Sequence, residues 1–171
     1  MEKILCVDLN DQKVGYEEKI YVHQNKILHR AFSILLFKDN QVLIQQRAKH
    51  KYHCPGLWAN TCCSHQRETE TLQEACIRGL QEETGIVCEL KEVGSFIYYA
   101  PFDNGLTEYE IDHVFIGEYD GNFIENKDEV EILKYVDIDE LKQDMLEHPE
   151  KYTPWFFNVL NIAMNNRKKE K

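Results

Sequence analysis

The sequence predicts a mixed α/β (α+β) fold, a mixed β-sheet flanked by helices. Three observations lead there. Short apolar or alternating runs separated by turn residues fill most of the first half and recur after the middle. One capped amphipathic segment interrupts them near the centre. Two further helical segments close the chain. Hydrophobic residues make up 43% and charged residues 29% of 171, the mix of one globular domain with one core.

The elements follow in order. Ile4–Leu9 and Val14–Tyr21 read as short strands around Asn10-Asp11. Leu28–Lys38 is a longer, mostly apolar strand. The pair Asp39-Asn40 turns it into Gln41–Arg47, a hairpin signal. Ala48–Trp58, with its Lys, His, Pro and Gly, reads as a loop. Thr71–Thr84 is the clearest helix. Thr71 with Glu74 three residues on fits a capping box, Leu72, Ala75, Cys76 and Leu80 keep one apolar stripe, and Gly85 supplies the stop. Strands are expected at Glu92–Ala100 and Thr107–Tyr119, joined by Asp103-Asn104-Gly105, and again at Leu133–Val136. Asp139–Glu147 is a helix ended by Pro149, and Thr153-Pro154 caps a last one through Asn165. The remaining NNRKKEK stretch is expected to fray into solvent.

Composition excludes several functions. Lys and Arg number 20 against 30 Asp and Glu, a net charge of −10, and general nucleic-acid binding needs the opposite balance. No apolar run approaches the ~20 residues that span a bilayer. The start, MEKILCVDLNDQ, does not read as a secretory signal, so a cytoplasmic setting is expected. In that setting Cys6, Cys54, Cys62, Cys63, Cys76 and Cys88 are expected as free thiols, most of them small buried hydrophobes.

Some residues carry possible chemistry. Glu108 and Glu110 lie at i and i+2 of an expected strand, so both point to one face, about 7 Å apart at Cα. They are either a solvated strand face or a pair of hard oxygen ligands or proton carriers. His23, His29 and His65 are spread along the chain, and each alone is more often a surface or satisfied histidine than a ligand. Together with two carboxylates, three imidazoles make an N/O set suited to a five- or six-coordinate divalent ion, though no spacing makes them converge. Cys63 lies two residues from His65. Glu82 and Glu83 stand just ahead of Gly85, where carboxylates can hold Mg²⁺ against a phosphate. Lys19, Arg47 and Lys51 are cations in an acidic chain, and a local cationic pocket would select a compact polyanion.

The spacing of Glu70, Arg78, Glu82, Glu83, Gly85 and Ile86 resembles the Nudix box, G-x5-E-x7-R-E-U-x-E-E-x-G-U with U apolar. Ser64 stands where the box has Gly, and Gly79 where it has the Glu after Arg. With these departures the chain is similar to the type 1 isopentenyl-diphosphate isomerases from about Val7 to Asn165. The matching blocks are Glu18-Lys19 with His23, Leu28-His29-Arg30-Ala31-Phe32-Ser33, Gln46-Arg47-Ala48 with Lys51, Pro55-Gly56-Leu57-Trp58 and Asn60-Thr61-Cys62-Cys63-Ser64-His65. Tyr98, Glu108-Tyr109-Glu110 and Thr153-Pro154-Trp155 follow. Gln66 stands where the family usually has Pro.

The resemblance implies a Nudix fold over residues 1–165, with a basic tail at 166–171. It implies one divalent metal, Mn, Zn or Mg, on His23, His29, His65, Glu108 and Glu110. Cys63 and Glu110 would move protons, with Tyr98 beside Glu110 and Trp155 facing the reacting carbons. Lys19, Arg47 and Lys51 would grip a diphosphate, and Glu83 would help hold a second ion, Mg²⁺, on it. A basic family position appears as Gly79, so the grip is expected to be rearranged. The implied substrates are isopentenyl and dimethylallyl diphosphate, with no nucleic-acid or membrane partner and a monomer or homodimer. The thiol of Cys63 would need a lowered pKa to serve as a base. The rival reading is a Nudix pyrophosphohydrolase acting on a nucleotide-like diphosphate.

Overall fold

A computed structural model describes residues 2–51 and 53–169. They form nine strands and four α-helices: β1 (Lys3–Val7), β2 (Lys13–Glu18), α1 (Lys19–Gln24), β3 (His29–Lys38), β4 (Gln41–Arg47), β5 (Trp58–Ala59), β6 (Cys62–His65), α2 (Leu72–Thr84), β7 (Lys91–Pro101), β8 (Thr107–Glu118), β9 (Val130–Asp137), α3 (Ile138–Glu147) and α4 (Phe156–Lys169). The mixed sheet expected from the sequence is present.

Strand β3 organises the sheet. Along one edge β8 runs parallel to it, with His29 beside Glu110 and Phe37 beside Glu118. Its other edge is shared. Cys6 of β1 pairs with His29, β6 pairs antiparallel with Ala31–Ile34, and β4 pairs with the far end. Beyond β8 lies β7, antiparallel, with Tyr98 beside Glu110.

Alternation along β3 divides the interior. Phe32, Ile34 and Leu36 face α2 in a core with Ala75, Cys76 and Leu80. Leu35 and Phe37 face the opposite way, into a core with Leu141 of α3 and Phe156, Val159 and Ala163 of α4. The sheet is therefore covered on both sides. At the N-terminal end of β3 the second face changes from apolar to polar: His29 and Ser33 are buried there.

Helix α2 is built as its sequence dictates. The Thr71 Oγ1 accepts from the Glu74 N–H and the Glu74 carboxylate accepts from the Thr71 N–H. Gly85 ends it in the left-handed region at φ 70°. Gly79 is required by close approach: a Cβ there would lie 2.7 Å from Phe32 Cζ. The departure from the Nudix box at this position is thus filled by a core ring.

Three expectations are corrected. The strand expected to run to Tyr21 stops at Glu18, and Lys19–Gln24 is a helical turn. The β-branched and aromatic residues Ile20, Tyr21 and Val22 suit either state, and the register with β1 runs out at Glu18. Strands β5 and β6 fall in segments read as loop or left unassigned. Residues 166–169 do not fray but continue α4. Arg167 is buried, pairs through two bonds with Glu118 at 2.9 and 3.0 Å, and lies over the Phe37 ring. Glu170 and Lys171 fall outside the described residues. All six cysteines are free, and no helix among the described residues is long and apolar enough to cross a membrane.

Candidate active site

The register of the sheet collects the polar residues into rows. Tyr98, Glu110 and His29 are consecutive neighbours across β7, β8 and β3. Asp112, Ala31 and His65 form the next row across β8, β3 and β6. Directly paired residues point to the same face, so Cys63, beside Ser33, joins them. The helical turn α1 then brings Lys19 and His23 onto one side, four residues apart.

Ligand-type atoms of His23, His29, His65 and Glu108 all lie within 4.8 Å of one another, and all four residues are buried. Glu110 flanks this group: its Oε2 lies 3.3 Å from His29 Nε2 and 3.7 Å from His65 Nε2. The imidazoles are oriented from behind. His23 Nδ1 is 2.6 Å from the Lys19 carbonyl and His29 Nδ1 is 3.0 Å from the Ile27 carbonyl. A carbonyl only accepts, so each Nδ1 carries the hydrogen, and the neutral His29 ring turns its Nε2 lone pair inward, the arrangement of a metal-ligating histidine. Buried His29 Nε2 has no hydrogen-bond partner among the described residues. A buried acceptor left this way fits a cation, and the cluster can hold a divalent metal ion.

The carboxyls are split in their proton affinity. Burial raises the pKa of Glu108, but hydrogen bonds and charges of His23 and His53 outweigh it and hold the group well below the usual range. Burial, with the neighbouring charges of Glu108 and Asp112, drives Glu110 well above that range. Asp112 is pushed up to about 7 by burial, against a 2.8 Å hydrogen bond from Ser33 Oγ. Burial lowers His29 to about 4 and holds His65 well below its ordinary value, so both rings are neutral.

Cys63 departs from the expectation of an acidified thiol. Burial pushes its pKa up. Arg47 pulls it down, and Glu83, Asp112 and Glu110 push it further up. Its side chain lines a pocket of about 220 Å³ together with Glu110, His65 and Trp155. The Trp155 indole is buried and donates to Asn60 Oδ1 at 3.2 Å. Arg47 lies 5.4 Å from its ring centroid and Tyr98 packs edge-on at 6.1 Å. The Tyr98 hydroxyl is buried without a hydrogen-bond partner among the described residues.

Lys19, Arg47, Lys51 and Glu83 line the same pocket. Lys51 Nζ is 2.5 Å from Glu129 Oε2. Glu83 is buried, accepts from Gln45 Nε2 at 3.0 Å and is pushed up to about 7, chiefly by burial. The turn Asn126–Glu129 ties these two parts together. The Asn126 N–H and Nδ2 donate to the carbonyls of Glu83 and Glu82 at 3.1 Å, ending α2. The Glu129 carbonyl accepts from Ala48 N–H at 3.1 Å, anchoring the loop that carries Lys51.

Glu70 and Arg78 act behind the site. Arg78 bonds both Glu70 oxygens at 2.8 and 2.9 Å and donates to the His65 carbonyl at 2.9 Å. Gln66, in place of Pro, bonds the Glu70 carbonyl and accepts from Arg30.

Residues the sequence reading passed over also converge here. Asp112 extends the period-two run of Glu108 and Glu110, a signal that was readable. His53, whose Nε2 is 2.9 Å from Glu108 Oε1, sits in an irregular loop with no periodicity to mark it. Glu129 and Arg67 line the pocket from turns and were equally unmarked.

Comparison with known proteins agrees with this architecture. The NUDIX domain family matches residues 27–156. The chain is 44% identical over 167 residues to "Isopentenyl-diphosphate Delta-isomerase 2" of Aromatoleum aromaticum, covering 97% of this chain and 88% of that one. It is 47% identical over 162 residues to the protein of the same name from Photorhabdus laumondii, covering 94% and 91%. The chain belongs to the isopentenyl-diphosphate Delta-isomerase family, within NUDIX. The crystal structure of DR0079 from Deinococcus radiodurans superposes with a TM-score of 0.76 at 17% identity, covering 94% of this chain and 98% of that one, a likeness of fold alone. Membership in the Delta-isomerase family accounts for a box that keeps Glu70, Arg78, Glu82 and Glu83 while Gly79 breaks it.

Proposed function

We propose that this protein interconverts isopentenyl diphosphate and dimethylallyl diphosphate, moving a C=C bond by one protonation and one deprotonation. The observation that carries the reading is the pairing of Cys63 and Glu110 in one pocket, with Trp155 in its wall and cations at its mouth. Hydrolysis of a nucleotide-like diphosphate would leave Cys63 and Trp155 without chemical duty.

An alkene is a weak base, so the donor must be held protonated in a dry place. Glu110 suits this role: before any ion is bound, burial and the Glu108 charge raise its proton affinity well above the usual carboxylate range. Protonation of the terminal carbon leaves a tertiary carbocation. Loss of a proton from the neighbouring methylene then forms the internal double bond, and Cys63 takes that proton. Arg47 favours the thiolate, but burial and the carboxylates of Glu83, Asp112 and Glu110 outweigh it, so the acceptor role requires Cys63 to have lost its proton before the methylene is attacked. The labels exchange when the reaction runs backward. The indole face of Trp155 stabilises positive charge, by ~2 kcal/mol when desolvated. Tyr98 and Trp155, both buried, keep out water that would trap the cation as an alcohol.

His23, His29, His65, Glu108 and Glu110 would hold one divalent ion, Mn²⁺, Zn²⁺ or Mg²⁺, and Glu83 a second, Mg²⁺, beside the diphosphate. Such ions supply charge stabilisation to carboxylate and phosphate oxygens. Lys19, Arg47 and Lys51 bind the diphosphate, which stays intact and serves to orient the five-carbon tail. The test is incubation with isopentenyl diphosphate in deuterated water, followed by NMR. Deuterium in dimethylallyl diphosphate is expected. Release of orthophosphate without isotope exchange would replace this reading by the hydrolase one.

A further inference from the structure

Three separate segments meet at the pocket mouth. The Lys19 N–H donates to the Glu2 carbonyl at 3.2 Å, the Leu5 N–H donates to the Gln66 carbonyl at 3.0 Å, and Ile4 bridges Arg67. The result sets one carboxylate between two cations: Glu2 Oε1 is 2.6 Å from Arg67 Nε, and Glu2 Oε2 is 3.9 Å from Lys19 Nζ. All three side chains line the pocket.

We propose that Arg67 and Lys19 form a subsite for one phosphate group of the substrate, and that the Glu2 carboxylate fills it as an internal stand-in until substrate arrives. The proposal rests on the diphosphate reading above and adds two residues to it, Arg67 and Glu2.

The backbone of Arg67 is fixed for this purpose: its N–H donates to Glu70 Oε1 at 2.8 Å, and Glu70 is itself clamped by Arg78. The guanidinium is less committed. Its Nη1 reaches Glu82 Oε1 at 3.4 Å, and its side chain is 38% exposed. Helix α2 lines this side of the pocket with the acidic Glu82 and Glu83, while its own Arg78 is turned onto Glu70. Arg67 supplies positive charge there.

A guanidinium binds carboxylate and phosphate oxygens through the same planar set of donors, so one anion replaces the other without rebuilding the site. The exchange favours phosphate, because a part-exposed ion pair contributes little, and a diphosphate carries more charge than a carboxylate. Burial alone would raise the Glu2 pKa, but the Arg67 hydrogen bond and the Lys19 and Arg67 charges outweigh it, so the stand-in is ionised at neutral pH.

The experiment is calorimetric titration of the full chain with Mg²⁺ and inorganic diphosphate, comparing the wild type with Arg67→Gln and Glu2→Gln. Arg67→Gln is expected to weaken binding about tenfold, as for loss of one charge-assisted contact. Glu2→Gln is expected to tighten it, by about threefold or more, by removing the competitor. KM for isopentenyl diphosphate should move in the same two directions. Opposite signs are the decisive readout, because both variants break the same ion pair and a purely structural role would weaken binding in both. Unchanged affinity in Arg67→Gln, or weaker affinity in Glu2→Gln, overturns the subsite. Failure of the wild type to isomerise would count against the proposed function instead.

Discussion

The buried histidine–glutamate cluster and the pocket mouth are built by different means. His29, His65, Glu108 and Glu110 stand on β3, β6 and β8, where strand register sets their spacing, and each is buried. Lys19, Lys51 and Arg67 stand on a helical turn and in loops, each facing a carboxylate of Glu2 or Glu129 at its tip. Rigid strands fix atoms that must not move when protons are transferred. Exchangeable ion pairs suit a surface that must release its anion after each turnover.

This contrast can be broken or sharpened by experiment. The largest effect is expected inside the rigid region. Cys63→Ala and Glu110→Gln should each lower kcat by about a thousandfold or more, in the range for loss of a proton carrier, while circular dichroism stays native. Near-normal turnover in either variant would remove that residue from the mechanism.

Next in size is the support of Glu108 by His53. Changes to groups that orient a ligand cost about 10–100-fold in metal affinity. His53→Ala should fall in that range when the protein competes with a chelator for Zn²⁺ or Mn²⁺, whereas His50→Ala, an exposed ring bonded to the Asp128 carbonyl, should leave affinity unchanged. Equal affinity in all three proteins would detach His53 from the site.

A third test reads the strain of burying Asp112. Its folded pKa, about 7, lies above the unfolded value, so ionisation costs the folded state stability. The cost is absent below the unfolded pKa, grows as pH rises through that window and is complete above about 7. In urea unfolding of the chelated protein, Asp112→Asn should remove a decline on the order of 2 kcal/mol between about pH 5 and pH 8. A pH profile identical to wild type would exclude Asp112 as its source.

The smallest effect is expected at the mouth. Lys51→Ala should raise KM for isopentenyl diphosphate by about tenfold with little change in kcat, because one charge-assisted contact is lost. A fall in kcat at unchanged KM would move Lys51 from binding to chemistry.

Legibility in the sequence follows the same division. Helix α2 was readable because its capping box, stripe and Gly85 stop all agree, and the β3–β4 hairpin because Asp39-Asn40 separates two apolar runs. The pairing of Glu108 with Glu110 was readable from alternation, but their burial was not, since alternation places a face without saying what covers it. Helix α1 departs from the expectation because its six residues, with Ile20, Tyr21 and Val22 at the centre, carry no period long enough to decide. The convergence of His29 with His65 depends on antiparallel pairing of β3 with β6, that of Glu110 with His29 on parallel pairing of strands about eighty residues apart, and that of His23 on the turn α1, none of which a local pattern encodes; it entered through family resemblance. His53 and Arg67 sit in irregular backbone, where neither alternation nor helical period applies.

The Asn126–Glu129 turn has a practical consequence for anyone wishing to attach a probe to this enzyme. Because it fastens the end of α2 and the Lys51 loop at once, a fluorophore linker spliced there would shift Glu83 and Lys51 apart in a single step. The hairpin tip at Asp103–Gly105, by contrast, is exposed at all three residues. A graft at that tip should report on the working molecule without silencing it.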